Sequence, residues 1–178
     1  MSARPITVTV DGVARQVLVE DDDLLLDVLR GLGHTSVREG CGVGACGACT
    51  VLVDGASVSS CLTRAVRHDG ASITTADGLP DDDPVVEAFV ANDAMQCGYC
   101  IPGFVLMTHE LLADEPAPTP ERVSAHLEGN ICRCGCYPEI RAAIESAAIA
   151  RTPGTLTQGT ASTPETVDES SHGFGATT

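Results

Sequence analysis

The chain of 178 residues has no tryptophan, three phenylalanines and two tyrosines. Its interior must therefore be built from Val, Leu, Ile and Ala, which supply most of an apolar fraction of 43%. Two modest cores stapled by metal fit that composition better than one large core, because small domains bury little surface. Cations are scarce: ten Lys plus Arg stand against 25 Asp plus Glu, for a net charge of −15. That excludes the basic faces by which proteins bind nucleic acid or anionic membrane, and leaves docking to a basic protein surface. There is no run of about 18 apolar residues, so no membrane span is expected. Met1 to Pro5 leads straight into a strand pattern without an apolar leader, so a cytoplasmic setting is expected. No nucleophile–base pair and no phosphate-binding loop is present, and Gly42-Val43-Gly44 opens no helix. No catalytic residue is therefore expected. The scattered His34, His68, His109, His126 and His172 read as surface or internally satisfied imidazoles.

Cysteine, by contrast, is abundant: there are nine. Cys97-Gly98-Tyr99-Cys100 and Cys132-Arg133-Cys134 are two thiol pairs with thirty-one residues between them. Those intervening residues read as two helices, so an antiparallel turn can bring the pairs together on one metal centre. Upstream, Cys41-x4-Cys46-x2-Cys49 followed by Cys61 has the spacing of a plant-type 2Fe–2S site. In a chain without an export signal, clustered thiols are metal ligands before they are disulfides. Two 2Fe–2S clusters in an electron carrier are the reading this supports. A structural zinc on the second set is the competing one.

The flanking pattern is consistent with that reading. Ile6 to Val10 and Arg15 to Val19 alternate around Asp11-Gly12, a hairpin signal. Asp21 to Asp23 are placed to cap a helix over Leu24 to Arg30, which Gly31 and Gly33 end. Gly40, Gly42, Gly44 and Gly47 would weaken any regular element, but suit a loop that wraps a cluster and aims N–H groups inward. Thr50 to Val53 and Ala56 to Ser60 form a second hairpin around Asp54-Gly55, and Ser72 to Thr75 a further strand. Asp81 to Asp83 cap a helix over Pro84 to Asn92. A longer helix is expected over Cys97 to Leu112, with both cysteines in its first turn. Thr119-Pro120 opens another to about Glu128, and Pro138 a last one to about Ala150. The fold class is thus α+β: an N-terminal β-grasp, plant-type ferredoxin domain over 1–78 and a C-terminal four-helix bundle over 79–150. Residues 151–178, rich in Thr, Gly, Ser and Pro, read as a low-complexity tail.

Gly40-Cys41-x4-Cys46-Gly47-x-Cys49 with Cys61, then Gln96-Cys97-Gly98-Tyr99-Cys100-x-Pro102-Gly103 and Cys132-Arg133-Cys134, resembles the iron–sulfur subunit of the molybdenum hydroxylases. This family includes xanthine dehydrogenase, aldehyde oxidoreductase and carbon monoxide dehydrogenase. The resemblance covers about residues 4 to 150. It implies ligand sets Cys41, Cys46, Cys49, Cys61 and Cys97, Cys100, Cys132, Cys134. It implies a large molybdopterin-binding subunit, an FAD-binding medium subunit, and assembly as a dimer of heterotrimers. Gln96 and Cys134 are then expected beside the pterin. Electrons would pass from molybdenum to the second cluster, to the first, and on to flavin. The substrate is expected to be a purine, N-heterocycle or aldehyde. A free-standing two-cluster ferredoxin or iron–sulfur sensor is the alternative, and it leaves Gln96 without a role. The chain departs from the family pattern at Cys136, which stands where a glycine is usual and is expected to be a free thiol near the cluster.

Overall fold

The computed structural model describes residues 3–151, so the expectation for the tail falls, Arg151 apart, outside the described residues. The chain is mixed α+β. Strands β1 (Arg4–Val10), β2 (Val13–Val19), β3 (Thr50–Val53), β4 (Ala56–Ser59) and β5 (Ser72–Thr74) form one sheet in the order β2-β1-β5-β3-β4. β1 and β5 run parallel and the other neighbours antiparallel. Asp11-Gly12 and Asp54-Gly55 turn both hairpins with positive φ at each residue, the conformation whose twist matches paired strands.

Helix α1 (Leu25–Gly31) lays Leu25, Leu26 and Leu29 on the sheet beside Ile6, Val8, Val10, Val51 and Ile73. Its start corrects the expected cap. The capping residue is Leu24, and no side chain caps the helix. The Leu25 and Leu26 N–H groups instead donate to Thr63 O and Ser60 O, at 2.8 and 3.2 Å. Those carbonyls flank Cys61, so the helix start helps fix that thiol. Asp23 serves a turn, its carboxylate accepting from Glu20 N.

The remaining helices are α2 (Pro84–Ala91), α3 (Ile101–Asp114), α4 (Pro120–His126) and α5 (Tyr137–Arg151). They build a second core around Phe89, Phe104, Leu111, Ile140 and Ile144. Asp83 caps α2, accepting from Val85 N and Val86 N, and Thr119 caps α4. The helix expected from Cys97 begins at Ile101, with Cys100 as its capping residue, so Cys97 lies outside it. The cause is Gly98, whose φ of 75° breaks helical geometry.

α3 also packs across β3, which is why Thr50 to Val53 are buried along their whole length. On the exposed edge, Glu110 accepts from Ser57 N at 2.6 Å and closes an open strand position. His34, His109 and His126 pair with Asp11, Asp83 and Glu110. His68 departs from the expected pattern: its Nε2 is buried without a partner, and burial lowers its basicity.

Candidate metal centre

The loop from Arg38 to Cys49 winds through positive φ at Gly42, Gly44 and Gly47. This places Val43 N–H and Ala45 N–H on Cys41 Sγ, at 3.5 and 3.3 Å. Those donors pull the exposed Cys41 thiol down to about 7, helped by a bond with Cys46. Cys49 and Cys61 are buried and hydrogen-bonded to each other, and burial, first of all, pushes the Cys61 thiol up to about 11. Ser60 braces the pair by donating Oγ–H to Cys49 O at 2.7 Å. A Cβ on Gly40 would lie 2.7 Å from Cys46 Sγ, so the loop needs a glycine at the point where it passes the thiols.

The second set is assembled by the turn before α3 and the turn before α5. Tyr99 N–H donates to Cys97, and Cys97 bonds to Cys134, lowering the Cys97 thiol. Cys100 pairs with Cys132, and burial pushes Cys100 up to about 12. Burial would raise Cys132 too, but N–H groups of Cys134, Gly135 and Cys136, with Cys100, outweigh it and the net shift is downward. Tyr137 Oη accepts from Cys132 N at 2.9 Å and fixes this turn. Cys136 is buried against Cys132, and burial raises its thiol.

The eight expected cysteines thus lie in two groups, and Cys136 adds a fifth thiol to the second, beside Cys132 and Cys134. All nine cysteines are unbridged. Among the described residues, no three His, Cys, Asp or Glu side chains are arranged to hold a single metal ion. Thiols gathered with backbone N–H groups aimed at sulfur fit an anionic iron–sulfur cluster, whose charge such donors would stabilise. Gln96 is exposed next to Cys97, and Cys134 is half-buried. Met95, Tyr99, Ile131 and Tyr137, each within three residues of a cysteine of the second set, are exposed.

The two sets are joined through side chains and backbone. Ile131 N–H donates to Cys46 O at 3.0 Å. Arg38 Nη1 donates to Gly98 O, and Tyr99 Oη to Glu39 O. The buried Asn130 lies between Gly47 and Gly103, its Nδ2 without a partner among the described residues. Sequence reasoning missed Arg38, Asn130 and Tyr137. The available signal was position alone, next to a ligand or a ligand's glycine.

A family model described as "2Fe-2S iron-sulfur cluster binding domain" matches residues 8–75, and one described as "2Fe-2S binding domain" matches residues 75–145. The nicotinate dehydrogenase small FeS subunit of Eubacterium barkeri is 40% identical, over 83% of this chain and 96% of that one. The nicotine 6-hydroxylase small subunit of Paenarthrobacter nicotinovorans is 46% identical, over 78% and 86%. Among solved structures, quinoline 2-oxidoreductase from Pseudomonas putida 86 matches with a TM-score of 0.79 at 38% identity, covering 83% of this chain and 95% of that one. No helix among the described residues is long and apolar enough to cross a membrane.

Proposed function

The chain belongs to the iron–sulfur subunits of the molybdenum hydroxylase family, and on that premise we propose that its two thiol sets are two cluster sites. Cys41, Cys46, Cys49 and Cys61 hold one 2Fe–2S cluster, and Cys97, Cys100, Cys132 and Cys134 hold the other. Bound there, the clusters supply one-electron carriage between the molybdenum centre of a large molybdopterin-bearing partner and a further acceptor. The chain is the electron-transfer subunit of an oxidoreductase complex, and its own residues contribute thiolates, N–H donors and a fixed spacing between the sites.

The finer reading is as follows. Residues 1–78 form a β-grasp domain and 79–150 a four-helix domain, supported by the two separate cores and the parallel β1–β5 pair. Gln96 and Cys134 face the pterin, supported by the exposure of Gln96 beside Cys97 and the hydrogen bond of the half-buried Cys134 with Cys97. The first set hands electrons to FAD in a medium subunit, and the complex is a dimer of heterotrimers in the cytoplasm. Its substrate is a purine, another N-heterocycle or an aldehyde, a range supported by the nicotinate, quinoline, aldehyde and xanthine enzymes among its relatives.

The observation that carries this reading is the segregation of eight thiols into two sets, each with N–H donors aimed at sulfur. Metal and sulfide analysis tests it. About four irons and four acid-labile sulfides per chain are expected; one zinc with two irons would overturn the second cluster. The order of the sites is tested by Cys49→Ser. This variant should leave molybdenum reduction by substrate intact and block transfer to the acceptor. Loss instead of the electron-paramagnetic signal coupled to molybdenum would reverse the order.

A further inference from the structure

Arg38 sits in the loop of the first thiol set, yet its side chain reaches the second. Its backbone N–H is anchored on Ala48 O at 3.2 Å. Its Nη1 donates to Gly98 O at 2.6 Å, and its guanidinium lies 5.3 Å from the Tyr99 ring centroid. Tyr99 Oη returns a bond to Glu39 O at 2.7 Å, so the two segments clasp each other. Gly98 and Tyr99 are the residues between Cys97 and Cys100. They share one peptide group: its carbonyl accepts from Arg38, and its N–H donates to the Cys97 sulfur.

Hydrogen bonds linked in series polarise one another, so a charged donor on the carbonyl strengthens the N–H donor on the far side. The charge is also poorly compensated. In a chain with 25 acids, no carboxylate pairs with Arg38 among the described residues. Reduction adds negative charge at the ligand sulfurs, and both N–H donors and a nearby cation favour the reduced form. Arginine suits the task because its planar fork meets a carbonyl and stacks on a ring at once.

We propose that Arg38 is a positioning residue that raises the reduction potential of the cluster held by Cys97, Cys100, Cys132 and Cys134, acting through the Gly98–Tyr99 peptide. The inference rests on the ligand sets proposed above. It makes the loop of one site a control element for the other, so the driving force between the sites depends on their clasp.

The test is a redox titration of the assembled complex, following both cluster signals by electron paramagnetic resonance alongside iron content. The signals are assigned beforehand with Cys49→Ser. In Arg38→Gln, the signal of the second set should move to lower potential while that of the first set stays. Arg38→Lys should fall between wild type and Arg38→Gln. Tyr99→Phe should shift the same signal by less, since it loses the Glu39 bond but keeps the peptide. An unchanged second-set potential in a fully loaded Arg38→Gln complex, or a shift confined to the first set, would overturn the proposal. Should Arg38→Gln fail to load, Arg38→Lys decides: a loaded complex at wild-type potential counts against the proposal, and a lowered potential supports it. A wild-type complex lacking one of the two signals would instead mean that the ligand assignment has failed.

Discussion

Gly47 holds the loop of the first set against the helical core. Its φ is 69°, and a Cβ there would collide with the Asn130 amide, 2.6 Å from Cγ. Gly47→Ala combines left-handed strain of about 1–2 kcal/mol with that collision. A lower melting temperature and loss of iron from the first set are expected. At Gly103 the obstacle is Gly47 O, a backbone atom that cannot swing aside. Gly103→Ala should therefore cost more than Gly47→Ala in the same melting measurement. Cys136 is the opposite case. The positive φ of its turn falls on Gly135, at 84°, so the extra Cβ at 136 meets no backbone penalty. Its thiol is 4% exposed and raised by burial, which leaves little thiolate to react. Cys136→Ala should keep both cluster signals, and a thiol reagent should leave Cys136 unmodified in the native complex. Loss of the second signal in Cys136→Ala would instead show that the ligand register has slipped by two residues.

At the scale of elements, Asp83 ties two helices together. It caps α2 and pairs with His109 Nε2 of α3 at 2.9 Å. Asp83→Ala should destabilise by about 1 kcal/mol from the lost cap alone. His109 then loses its partner as well, so a urea melt should show a larger loss in Asp83→Ala than in His109→Ala. Both caps opened by proline, at Asp83 and Thr119, were legible in the sequence, because a cap is a local event. Both Asp-Gly hairpins were legible for the same reason. The cap of α1 was not, since its N–H groups go to carbonyls beside Cys61, some 35 residues away by sequence count. The start of α3 was misplaced because CxxC spacing is compatible with a helical turn, whereas Gly98 takes a left-handed φ there. In the candidate site, the grouping of the thiols was legible because spacing alone marks them. Arg38, Asn130 and Tyr137 were not, because polar residues in loops carry no periodicity. What singles them out is a bond to a distant or turning backbone, such as Arg38 to Gly98.

For the whole molecule, the two cores draw their buried residues from Ile6 to Ala147. Truncation after Arg151 is therefore expected to leave iron content and both cluster signals unchanged, and dissociation of the complex by the same truncation would assign residues 152–178 to docking. The sheet has its own consequence in time. β5 is the last strand in sequence, yet it lies in the middle of the sheet, parallel to β1 and antiparallel to β3. A chain growing on the ribosome can pair β1 with β2 and β3 with β4, but these halves stay apart until Ser72–Thr74 emerges. Cys61 has been made by then, so the first set of thiols is complete as the sheet closes. Cys132 and Cys134 follow much later, as does Ile131, whose N–H bonds to Cys46 O. Synthesis thereby completes the two thiol sets in sequence, and a stalled nascent chain ending before residue 132 would carry only the first of them whole.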